Sequence, residues 1–271
     1  MNMITLESLT LNVQDLEKVS SFYQDIFKFN VLQKSLDGNV LGYDKPLLTL
    51  KKSNATTHTQ LGLYHAAWRV AFESELGWMI LHLHQARIPI EGFADHLVSK
   101  AVYLSDPEGN GIEIYWDRPK IAWKKDPDYQ WTMVTEPLDV NTLIDLAPQV
   151  PSHPRVVLGH VHFYVDQLPN HEHFYRLLKM DKMFAFGPMA SFMAYDNYHH
   201  HLGLNTWNRQ KANSEDRQRL GLASVNLQVP IKLFLSILDE LRKENYLYEL
   251  HKNHLSVFDP SHHLWIISSK E

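Results

Sequence analysis

The sequence predicts an α+β fold of four βαβββ modules, set out as two tandem halves. Two observations carry this prediction. The chain repeats its own segments in order, at offsets of 152 to 159 residues. Each half then divides again into two units of one plan, an alternating strand, an amphipathic helix and further strands.

The first repeated element is a strand running into a helix. "LTLNVQDLEKVSSFYQDIFKF" (residues 9–29) and "VHFYVDQLPNHEHFYRLLKM" (161–180) both alternate, turn at polar residues and continue into a helix carrying Phe-Tyr. Those pairs are Phe22-Tyr23 and Phe174-Tyr175. The second is "GLYHAAWRV" from Gly62 against "GLASVNLQV" from Gly221. The third is "SDPEGNGIEI" against "FDPSHHLWII", with Asp106 and Asp259 in register.

Within residues 5–51, strands follow the helix around "FNVLQKS", "NVLGYD" and "LLTLKK". Within 61–117, the helix "ESELGWMILHLHQA" is followed by strands "AVYLSD" and "GIEIYW". In "GIEIYW" the apolar Ile112, Ile114 and Trp116 share one face and Glu113 and Tyr115 the other, because strand side chains alternate. The expected organisation is a first half over 1–117, a linker over 118–156 and a second half over 157–271. The linker is rich in Pro, Asp and Lys, with a short helix at "DVNTLIDLA".

Composition narrows the function. The 271 residues are 44% hydrophobic and 21% charged, enough for a sizeable core. A net charge of -5 gives no basic footprint for nucleic acid or an anionic membrane. No apolar run is long enough to span a bilayer, and "MNMITLESLTLNV" lacks the basic and apolar regions of a secretory signal. A cytoplasmic protein is the simplest expectation. With no cysteine, disulfides, iron–sulfur clusters and thiol nucleophiles are excluded, so any metal must be held by histidine and carboxylate. "DPEGNG" precedes a strand rather than a helix, so it is no phosphate loop, and no Gly-x-Ser-x-Gly elbow is present.

The module plan, with "GLYHAA", "DHLVSKAVYLSDPEGNGIEIYWDRP", "LGHVHFYV" and "HHHLGLNTW", resembles the vicinal oxygen chelate superfamily. That superfamily includes glyoxalase I and the extradiol ring-cleaving dioxygenases. The nearest likeness is to two-domain bacterial catechol 2,3-dioxygenases, and it extends over essentially the whole chain. The resemblance implies that paired modules form a cup of strands around a divalent metal, with ligands from the first and last strand of a module.

Those positions hold Ser8 and Thr49 in module 1, and His65 and Glu113 in module 2. Module 3 has His160 and the run His199-His200-His201, whereas module 4 has Ser224 and Ile266. Modules 1 and 4 have lost their ligands, and 2 and 3 keep them. His65, Glu113 and His160 thus form the implied metal set, two histidines and one carboxylate, which suits iron(II) with open positions; manganese(II) is the alternative. Pairing 1 with 2 and 3 with 4 would leave both cups incomplete. Pairing 2 with 3 and 1 with 4 completes one cup, and this is the arrangement we expect.

Ring cleavage also needs an acid–base group, for which histidine is suited. The run leaves His199, His200 and His201 open, and alignment with the family pattern favours His200. The resemblance also marks His96 and Tyr103 as groups that hydrogen-bond substrate or oxygen, and leaves Asn205 and Trp207 as wall or packing residues. The remaining candidates, including His58, His171, His262 and His263, read as structural or surface histidines.

The implied function is a non-haem iron(II)-dependent extradiol dioxygenase that cleaves a catechol- or hydroquinone-type ring with O2. Its partners would be a small aromatic diol and O2, with a homo-oligomer left open. The alternatives are a glyoxalase-like lyase or isomerase, if a histidine of the 199–201 run binds metal directly, and a non-catalytic binding protein of the same superfamily.

Overall fold

A computed structural model describes residues 4–56, 61–147, 152–208 and 219–270. His58 lies outside the described residues. Module 1 comprises β1 (Thr5–Val13), α1 (Leu16–Phe27), β2 (Asn30–Lys34), β3 (Gly38–Gly42) and β4 (Pro46–Lys52). Module 2 comprises β5 (Gly62–Val70), α2 (Glu73–Gln85), β6 (Gly92–Asp95), β7 (Ser99–Ser105) and β8 (Gly111–Asp117). The connecting stretch carries α3 (Val140–Asp145). Module 3 comprises β9 (Val157–Tyr164), α4 (Leu168–Leu177), β10 (Asp181–Phe186), β11 (Ala190–Ala194) and β12 (Leu202–Asn205). Module 4 comprises β13 (Gly221–Pro230), α5 (Ile231–Lys243), β14 (Tyr248–Leu250), β15 (His254–Phe258) and β16 (Leu264–Lys270). The four-residue β6 is the one strand that the pattern in residues 61–117 does not reveal; it is too short to show alternation.

The strands form two eight-stranded sheets, ordered β14-β15-β16-β13-β1-β4-β3-β2 and β10-β11-β12-β9-β5-β8-β7-β6. Modules 1 and 4 therefore share one sheet, and modules 2 and 3 the other. Each sheet is joined at its centre by an antiparallel pair of opening strands, β1 with β13 and β5 with β9. Both halves of the chain enter both sheets. One face of each sheet packs against helices in a single continuous core, in which Trp68 lies against Phe27 and Phe29. The helices enter that core through apolar stripes at helical spacing, such as Val19, Tyr23, Ile26 and Phe27 on α1. No described helix is long and apolar enough to cross a membrane.

The repeated Phe-Tyr and Asp-Pro motifs are partners. Tyr23 donates its hydroxyl hydrogen bond to Asp106 at 3.3 Å, and Tyr175 donates to Asp259 at 2.8 Å. A helix of one module is thereby tied to the last turn of the next. The turn itself is held by Asp106, which accepts from the backbone of Glu108 and Asn110 and from the Asn110 side chain. In the second copy His263 replaces Asn110 and bonds Asp259 at 3.1 Å. His171 spans the Gln167 carbonyl and the Ser261 hydroxyl, a structural role of the kind expected. Glu108 reaches back to accept from the backbone N–H groups of Gln14 and Asp15, just ahead of α1.

Tyr175→Phe leaves buried Asp259 short of a donor and is expected to cost about 1–3 kcal/mol. Tyr23→Phe, which breaks the longer bond, is expected to cost less. Urea denaturation of the two variants checks the order.

Candidate active site

Glu113 faces into the cup of the second sheet, away from the helices. The register explains what it meets. Ala67 on β5 stands opposite His160 on β9 and, on its other side, opposite Glu113 on β8. His160, Ala67 and Glu113 thus form one row across three strands. The Ala67 methyl group is small enough that the two long side chains close over it, and His160 Nε2 lies 3.0 Å from Glu113 Oε2. His65, two residues before Ala67, shares its face and brings its Nε2 to 2.9 Å from the same oxygen. Gly111 lets β8 come this close, since a Cβ there would lie 2.0 Å from the Tyr64 carbonyl oxygen and 3.2 Å from the His65 Cβ.

The three side chains are buried, Glu113 at 3% exposure. Among the described residues they are the one group whose ligand atoms gather as a metal site requires, within 4.8 Å of one another. Burial alone would raise the Glu113 carboxyl, but His160 and His65 against it prevail and hold it well below the usual carboxylate range. Burial pushes His160 down to about 4 despite the pull of Glu113. An ionised carboxylate beside a neutral imidazole is the protonation state that metal binding needs. The spacings of 2.9 and 3.0 Å also match the edge of an octahedron with metal–ligand bonds of about 2.1 Å. His65 Nε2 has no hydrogen bond of acceptable geometry although it is buried, an orphaned donor atom that a cation would satisfy. The residues present fit a divalent metal.

The other cup shows what was lost. There Ser8, Asn226 and Ile266 occupy the equivalent row. The Asn226 side chain fills the space above its strand and donates to the Ser8 hydroxyl at 2.8 Å.

A cavity of about 360 Å³ opens onto the His–Glu–His row. Its lining includes His65, His96, Tyr103, Glu113, His162 and His200, walled by Phe93, Phe184, Phe186, Phe192 and Trp207. Met133, Val134 and Thr135 complete the wall. They come from the stretch between β8 and β9, which is strapped down by Trp131 N–H on the Met183 carbonyl and by paired backbone bonds between Asp95 and Glu136.

Two hydrogen-bonded chains fix side chains at the cavity. His96 Nδ1 donates to the Val134 carbonyl at 2.6 Å, so its Nε2 accepts from the Tyr103 hydroxyl at 2.7 Å. Asp117 accepts from His199 Nε2 at 2.7 Å, and His199 Nδ1 lies 2.7 Å from His200 Nδ1. Burial would raise the Asp117 carboxyl, but His199 and Arg69 hold it low, so it is an acceptor. With His199 neutral, its Nδ1 takes the His200 Nδ1–H, and His200 Nε2 carries the lone pair. His200 lines the cavity, whereas His201 turns away and accepts from Tyr195 N–H.

Residues 5–114 match the model of the Glyoxalase/Bleomycin resistance protein/Dioxygenase superfamily. A catechol-2,3-dioxygenase of Bacillus subtilis (strain 168) is 32% identical over 262 residues, covering 92% of each chain. This chain belongs to the glyoxalase/bleomycin resistance protein/dioxygenase superfamily. Solved structures agree in fold. A Bacillus subtilis protein superposes with a TM-score of 0.67 at 11% identity, covering 98% of this chain and 84% of that one. Glyoxalase I of Zea mays superposes with a TM-score of 0.60 at 13% identity, covering 99% and 93%.

For this superfamily member the structure gathers every candidate, His65, Glu113, His160, His96, Tyr103 and His200, around one cup. Trp207 lies on the wall. Several cavity residues were not singled out from the sequence. His162 carries a legible signal, since it follows His160 by two and must share its face. Asp117, which stands behind His199 rather than on the cavity wall, lies four residues beyond Glu113 by the same parity. Met133 to Thr135 carry none, because the connector has no periodicity.

Ala67→Leu should drive His160 and Glu113 apart while every ligand remains. The expected loss in metal affinity is at least roughly tenfold with the fold retained, read by metal content and circular dichroism. The metal-free protein should also lose stability in acid. Burial holds His201 down to about 3 and His160 to about 4. The unfolded chain takes up those protons as pH falls through about 6.5, and the folded chain does not until far lower. The stabilisation is complete above about pH 6.5 and declines below it, and the depressed Glu113 acts in the same direction. A melting temperature that falls by more than about 5 °C from pH 7.5 to 5 is expected, and a constant one would contradict this.

Proposed function

We propose that this protein is a non-haem iron(II) extradiol dioxygenase that opens a catechol- or hydroquinone-type ring with O2. His65, Glu113 and His160 hold the metal, and manganese(II) is the substitute the same donors would accept. The observation that carries the reading is the His–Glu–His row at the floor of an aromatic-walled cavity. The 32% identity to a catechol-2,3-dioxygenase supports it.

When bound, such a metal supplies open coordination positions for a chelating diol and for dioxygen. The side chains do the rest. Phe184, Phe192 and Trp207 receive a planar ring and keep water out. His200 Nε2 takes a proton from a diol hydroxyl, and Asp117, acting through His199, stabilises the cation that forms. The same nitrogen returns the proton to oxygen at ring cleavage. His96 and Tyr103, linked to each other, face the substrate from the opposite wall.

The lyase alternative asks for a metal ligand from the histidine run. His200 is near, its ring 4.0 Å from that of His160, but it stands outside the group of donor atoms that gather as a metal site. That placement favours a base over a ligand.

Anaerobic loading with iron(II), then catechol in air, is expected to give a yellow ring-opened product with uptake of O2. His200→Ala should keep the iron and lower kcat by about 10²–10⁴-fold. Turnover of a methylglyoxal–thiol adduct, with no O2 uptake on catechol under iron(II) or manganese(II), would overturn the reading.

A further inference from the structure

The cavity holds a second histidine of β9 that belongs neither to the implied metal set nor to the Asp117–His199–His200 chain. His162 is 4% exposed and sits edge-on to the His65 ring, with centroids 5.0 Å apart. Its seat is built for an imidazole. Tyr64, Phe192 and Trp207 surround the ring at centroid distances of 5.2, 5.5 and 5.6 Å. Gly203 faces it across the β9–β12 pair, where a Cβ would lie 2.7 Å from the ring carbons.

The proton on that ring can be placed from its neighbours. The Trp207 backbone N–H donates to Asn205 Oδ1 at 3.1 Å. A main-chain N–H cannot accept, so this bond fixes the orientation of the amide. Asn205 is fully buried, and its NH2 group therefore faces His162 Nε2, 3.0 Å away. A nitrogen that accepts from an amide carries its lone pair there, and the neutral ring keeps its proton on Nδ1. Nδ1 has no partner among the described residues, and the ring lines the cavity.

We propose that His162 is a hydrogen-bond donor through Nδ1–H to an oxygen of the cavity ligand that carries negative charge during turnover, and that Asn205 is its positioning residue. A donor oriented before the charge develops stabilises it without reorganisation and without giving up a proton. It thereby differs from His200, which presents a lone pair to the same cavity. The identity of the ligand rests on the dioxygenase reading; the placement of the proton does not.

Two measurements test this. In the metal-free protein, long-range ¹H–¹⁵N correlation, assigned by loss of signal in His162→Phe, should show His162 protonated at Nδ1 alone. In Asn205→Leu that preference should give way to a mixture of tautomers. A wild-type ring protonated at Nε2, or an Asn205→Leu spectrum unchanged from wild type, overturns the proposal even if the enzyme proves to have another activity. In the iron(II) enzyme, His162→Phe should keep its iron and lower kcat/KM by about 10²–10³-fold, and His162→Gln, which retains an N–H donor, should recover at least a tenth of wild-type activity. A loss expressed in KM for catechol places the donor on a diol oxygen, and a loss confined to kcat/KM for O2 places it on oxygen derived from O2. Full kcat/KM for both substrates in His162→Phe overturns the role.

Discussion

The antiparallel pairing of β5 with β9 is the constraint from which the site follows. It joins the two halves of the chain at the centre of one sheet and sets Ala67 opposite His160. With β8 parallel to β5, the same register sets Ala67 opposite Glu113. A slip of one residue would turn His160 to the helix-covered face and remove it from the cup. The metal ligands come from strands that are remote in sequence, and one small side chain between them lets them meet.

The duplication makes the comparison internal to the molecule. Both sheets are built alike, with a central antiparallel pair of opening strands and flanking parallel pairs. Their cups differ by a few side chains. His160, Ala67 and Glu113 in one are Ser8, Asn226 and Ile266 in the other. The fold thus stands without the ligand row. What both halves retain is the tie from the helix tyrosine to the turn aspartate, Tyr23 to Asp106 and Tyr175 to Asp259. Those ties secure the scaffold, and the histidines and the glutamate are free to serve chemistry.

Much of this was legible in the sequence because strands announce themselves by alternation and the repeat supplies a second copy of each. The alternation put Glu113 on the face opposite Ile112 and Ile114, and Ile266 at the matching position of the second copy singled it out as a ligand. The pairing of modules 2 and 3 followed from complementary loss of ligands. The cavity wall was less legible. Met133 to Thr135 act through where the connector passes, which tertiary bonds from Trp131 and Glu136 decide. The carboxylate behind His199 was hidden for a similar reason, since Asp117 lies 82 residues from it in the chain. His162 was open to the parity argument, but its tautomer depends on an amide and a backbone N–H on another strand.

The most direct test is the metal content of two single variants from opposite halves, His65→Ala and His160→Ala, alongside wild type after loading with iron(II) and desalting. One shared site predicts one ion per wild-type chain and near-complete loss in each variant, with circular dichroism unchanged. Full retention of tightly bound iron in His160→Ala would show that the second half contributes no ligand, and would contradict a centre built across β5, β8 and β9.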